Sequence, residues 1–106
     1  MNQQLVLQFH GDDDETLDRV IALEDRLIEA FEGSTAAEVD GHEPGDGVIN
    51  LVLLAKNAAK LWEKIEPIVE DASDELDINA VAFRNLDSEE FTVLFPADYE
   101  GEFELA

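Results

Sequence analysis

The chain has 106 residues, 45% of them hydrophobic, which suits a single domain spanning 1–106 around one core. It contains no cysteine, so disulfides, iron–sulfur clusters, thiolate zinc sites and a cysteine nucleophile are excluded. Its 27 acids against 6 bases give a charge of −21, which repels nucleic acid and anionic membranes, because every phosphate contact needs a cation.

In chain order, QLVLQFH (residues 4–10 with Gln3 before them) alternates, with Leu5, Leu7 and Phe9 on one face and Gln4, Val6, Gln8 and His10 on the other. This predicts a half-buried strand ended by Gly11. One residue of the Asp12-Asp13-Asp14 run caps a helix predicted over Asp13–Glu32, where acids favour the positive pole of the dipole. Leu17, Val20, Ile21, Leu27, Ile28 and Phe31 give its apolar face, and Gly33 ends it.

A short strand follows over Ala36–Gly41, then VINLVLLA (Val48–Ala55), apolar on both faces apart from Asn50 and so expected to be central. Asn57 caps a second helix carrying Ala58, Leu61, Trp62, Ile65, Ile68 and Val69, with Pro67 expected to kink or break it. Lys56, Lys60 and Lys64 form a basic stripe at i, i+4, i+8. Strands are predicted over Ile78–Arg84 and Phe91–Phe95, and Pro96 stops the last one. The segment from about 97 to 106 reads as an acidic tail or an edge strand.

The order β-α-β-β-α-β-β predicts an α+β protein of the ferredoxin-like sandwich type, an antiparallel sheet with two helices on one face. The other face would show Val6, Gln8, His10, Asn50, Val52 and Leu54, a mixed surface suited to a second copy or a partner.

The stretch EVDGHEPGDGVIN (Glu38–Asn50) has the composition of a ligand loop. It fails the calcium-loop template, because His42 and Pro44 stand at the third and fifth positions from Asp40. One histidine is too few for zinc, and its acids repel phosphate. Pro44, Gly45 and Gly47 suit a hairpin turn better. Three serines without G-x-S-x-G around them, and no G-x-G-x-x-G or Walker pattern, leave no visible catalytic centre.

VDGHEPGDGVINLVLL followed by KLWEKIEPIV resembles a group of small, largely uncharacterised bacterial proteins that share a D-G-H-x-x-G-x-G-x-x-N hairpin. The matching positions are Asp40, Gly41, His42, Gly45, Gly47, Asn50 and Pro67. The resemblance implies one α+β domain and carries no catalytic residue. In size and charge the chain is also similar to immunity proteins, which neutralise basic toxins.

The acids are uneven: the net charge is −11 over residues 12–46, −1 over 47–73 and −9 over 74–106. The expected function is a non-enzymatic acidic module that binds a basic protein, such as an immunity-type inhibitor of a toxin or nuclease. The candidate partner-binding residues are Asp18, Asp25 and Glu29 on the first helix, His42, and Asp98, Glu100 and Glu102 in the tail. No cofactor and no metal are expected. The alternative is a small-ligand or regulatory domain that dimerises through the open sheet face. A metal-dependent enzyme built on His10 and His42, and plain salt adaptation of the surface, are weaker readings. The N-terminus has no basic n-region or long apolar h-region, and no run approaches the roughly 20 apolar residues of a membrane span. A cytoplasmic protein is expected.

Overall fold

The structure is a computed structural model and describes residues 2–11, 13–45, 47–72, 76–96, 99 and 103. Its elements are β1 (Gln3–His10), α1 (Asp14–Ala30), β2 (Ala37–Pro44), β3 (Val48–Ala55), α2 (Ala58–Ala72), β4 (Asp77–Asn85) and β5 (Thr92–Phe95). The strands form one sheet in the order β2-β3-β1-β4-β5, each neighbouring pair antiparallel. This is an α+β protein with two helices and a five-stranded antiparallel sheet, compatible with a ferredoxin-like arrangement.

The alternation in β1 decides which face the helices cover. Leu5, Leu7 and Phe9 point one way and join Ile49, Leu51 and Leu53 of β3 in the main core. Val20, Leu23, Leu27 and Phe31 pack on them from the first helical segment, and Ala58, Leu61, Trp62, Ile65 and Val69 from α2. Each fully buried Leu, Ile or Phe contributes about 1.5–3 kcal/mol relative to exposure, so this one face supplies most of the stability.

Both helix starts are capped by side chains. Asp13 sits in extended backbone before α1, and its Oδ1 accepts the Thr16 N–H at 3.2 Å. Hydrogen bonds from the Thr16 side chain and its backbone N–H hold the Asp13 carboxyl below the usual carboxylate range. Asn57 Oδ1 accepts the Lys60 N–H at 3.1 Å, and Gln3 Oε1 accepts the Ala58 N–H at 2.7 Å, tying the start of α2 to the edge of β1.

Three details differ from the sequence reading. β2 runs on to Pro44 instead of stopping at Gly41, because a register shift between Val39 and Gly41 absorbs one residue as a bulge. Pro44 is tolerated there because β2 is an edge strand. Of the kink or break expected at Pro67, the break does not occur: a single helix runs through this exposed proline. Ile28, expected in the core, is 49% exposed, and Leu23 is buried in the core.

The face turned from the helices carries a second, smaller cluster. Val6, Ala80 and Ala82 are buried there with Phe103, and Phe91, Val93 and Tyr99 pack against them. Phe91 and Phe103 meet edge to face with centroids 5.1 Å apart. The alanines of β4 leave room over the sheet into which Phe103 fits. Of the residues expected on an open face, Val6, Gln8, Asn50 and Val52 are buried, Leu54 is half-buried and His10 is exposed.

Candidate functional site

α1 positions the first group of candidate residues. At 100° per residue, Asp18, Asp25 and Glu29 fall within about 40° of one another around the axis and span about 16 Å along it. Val20, Leu23 and Leu27 are on the opposite side, buried against the sheet, which turns this acidic stripe to solvent. All three acids are exposed.

The stripe is set apart by its alignment on one helix face; its carboxylates lack partners, as most exposed acids of the described residues do. Glu15 is paired with Arg19, and Asp71 of α2 with Arg26 at 3.2 Å, so two of the three arginines are engaged at the margins. Asp18, Asp25 and Glu29 make no side-chain hydrogen bond or ion pair among the described residues. Asp25 and Glu29 are one helical turn apart, and like charges so placed cost about 0.2–0.5 kcal/mol. The face is therefore mildly destabilising for the isolated molecule and favourable toward a cationic surface.

His42 is placed elsewhere. It lies in β2 opposite Leu51, on the helix side of the sheet, and its Nδ1 is 3.0 Å from Glu24 Oε2 of α1. With neutral imidazole, that contact requires the proton on Nδ1, donated to the carboxylate. The side chains are 30% and 14% exposed, so the pair fastens the edge strand to the helix under partial cover. Glu24 lies outside the acidic stripe, and the sequence offered no spacing rule linking it to a residue 18 positions away.

His10 and His42 are not brought together. His10 follows Val6 and Gln8 on the face turned from the helices, while His42 contacts α1 on the other. Among the described residues no group of three or more His, Asp or Glu side chains is placed to hold a metal ion. The tail candidates Asp98, Glu100 and Glu102 lie outside the described residues.

A buried amide ladder also crosses the second face. Gln8 and Asn50 are directly opposed in the β1–β3 pairing, and Gln8 Nε2 donates to Asn50 Oδ1 at 2.9 Å. Asn79 Nδ2 donates to Gln8 Oε1 from β4. Asn50 stood out in the sequence as the one polar residue of β3, but its partner depended on the strand register. This ladder satisfies buried polar groups and fixes that register, since a one-residue slip would place amides against apolar side chains.

No protein-family model, curated protein or solved structure matches the chain. Among the described residues no helix is long and apolar enough to cross a membrane.

Proposed function

We propose that this protein is a non-enzymatic acidic binding module on a ferredoxin-like sandwich, docking a basic protein against the outer face of α1. An immunity-type inhibitor of a basic toxin or nuclease is the form that fits its size and charge. The observation that carries the reading is the set of exposed carboxylates of Asp18, Asp25 and Glu29, aligned on one rigid helix and left without cationic partners among the described residues. Such a stripe steers a positive surface at long range and meets it with groups whose pairing has not been used up internally. His42 supports this surface indirectly, through Glu24, by holding β2 to α1.

The test is retention of basic proteins from the source cell on the immobilised chain at low and high salt, compared across two variants. Asp18→Asn/Asp25→Asn/Glu29→Gln removes three charges from the stripe. Glu43→Gln/Glu63→Gln/Glu89→Gln removes three exposed charges elsewhere. Loss of a salt-sensitive partner in the first variant and its retention in the second supports the reading. Surface acids that serve only to hold water and salt would give no difference between the two.

A further inference from the structure

The chain has only three lysines, and all three line one cleft. Lys56 opens the β3–α2 connection, and Lys60 and Lys64 of α2 follow four and eight residues on. With Phe31, Ser34, Ala36, Ala37, Asn57 and Leu61 they enclose about 190 Å³. The floor is apolar, with Phe31, Ala37 and Leu61 buried, and the rim is cationic.

None of the three ammonium groups has an ion-pair or hydrogen-bond partner among the described residues, in a chain with 27 acids. Lys60 and Lys64 repel each other across one turn, and the first turn of α2 holds no acid. A lysine near a helix start also opposes the macrodipole. The three lysines are exposed, and the Lys60–Lys64 repulsion and the opposition to the dipole would both be relieved by an anion in the cleft. The nearest acids in sequence, Glu32 beside Phe31 and Glu63 beside Lys64, are not among the residues that line the cleft.

We infer that this cleft binds a small polyvalent oxyanion, a phosphate ester or polycarboxylate with a compact apolar body. Two or three ammonium groups would hold the charges, and Phe31 and Leu61 would bear on the body. The volume suits a small anion and is below the range of about 300–1,000 Å³ typical of drug-sized ligands. The inference stands independently of the acidic face on α1.

The test is thermal unfolding followed by circular dichroism in pyrophosphate or citrate, each against sodium chloride at matched ionic strength. The two arms separate phosphate from carboxylate recognition. At ten times the dissociation constant a single site raises the midpoint by about 6 °C. The shift should saturate, vanish in Lys56→Gln/Lys60→Gln/Lys64→Gln, and persist in Lys60→Arg, which keeps the charge. A shift no larger than that in matched sodium chloride, or one unchanged in the triple variant, would overturn the inference. So would a dimer that forms without added anion and is lost in the triple variant, which would assign the cleft to a second copy.

Discussion

Truncation of Phe103 to alanine probes the packing that closes the second sheet face. Phe103 is 6% exposed and lies against Val6, Ala80 and Ala82, with Phe91 at its edge. An aromatic side chain that buries about 150 Å² contributes about 4 kcal/mol at 25 cal/mol per Å². A compact unfolded chain reduces this by about a quarter, and the edge-to-face contact adds back about 0.5 kcal/mol. The small alanines of β4 cannot reach into the space left behind, so little of the loss is recovered. The expected destabilisation is about 3 kcal/mol. In urea, with a slope of about 1.5 kcal/mol per M, the midpoint falls by about 2 M at unchanged slope. Trp62 fluorescence reports the transition, since that ring is 7% exposed in the main core. Leu86→Ala, at a side chain 42% exposed, serves as a control and should change stability by less than about 0.5 kcal/mol. A Phe103→Ala loss as small as the control's would show that the ring does not rest on the sheet, and the second face would then be open.

Three other outcomes follow from local geometry. Asp13→Ala should lower the melting temperature at pH 7, because the cap on the Thr16 N–H is lost. The folded-state carboxyl is depressed, so its contribution is present above the unfolded value of about 3.9 and fades as pH falls through the folded one; the deficit should shrink in melts at pH 3, and an undiminished deficit refutes the assignment. Gly11→Ala should cost about 2–3 kcal/mol in chemical denaturation, since φ is +115° and a Cβ would come within 2.8 Å of Thr16 Oγ1, whereas Gly33→Ala, at +79° with open space, should cost about 1 kcal/mol; the reverse order would contradict the packing at Gly11. A double-mutant cycle of Glu24→Gln and His42→Gln should give a coupling of about 0.5–1 kcal/mol at pH 7, and zero coupling would mean that the pair does not hold β2 to α1.

Much of the architecture was readable because it rests on short-range rules. The alternation of Leu5, Leu7 and Phe9 marked the core face of β1, and the two-sided apolar run of β3 marked a strand inside the sheet. The Asp12-Asp13-Asp14 run, of which Asp13 is the cap, and Asn57 announced the helix starts through capping chemistry that needs only three residues of context. The turn residues were less faithful. Gly41 read as the end of β2 and Pro44 as part of the turn, yet a bulge and an edge position let β2 run on to Pro44. Pro67 read as a kink or a break, and the helix continues through it with the proline on an exposed side.

The site was legible in part, for the same reason. The stripe of Asp18, Asp25 and Glu29 follows from helical periodicity alone, and so does the lysine stripe. What the stripes face depends on tertiary packing. The cleft beside Lys56, Lys60 and Lys64 exists because Phe31 and Ala37, distant in sequence, come against α2. His42 was singled out for its chemistry, but its partner Glu24 is set by how α1 lies over the edge strand.

The central claim is that the outer face of α1, and not the total charge, binds the partner. The most direct measurement is the equilibrium affinity of the captured basic protein for the two triple variants of equal charge, taken at one salt concentration. Three lost pairings should weaken the Asp18/Asp25/Glu29 variant about tenfold or more, while the Glu43/Glu63/Glu89 variant stays within about twofold of the parent chain. Equal weakening in both variants, or no basic protein retained at low salt, would contradict the account.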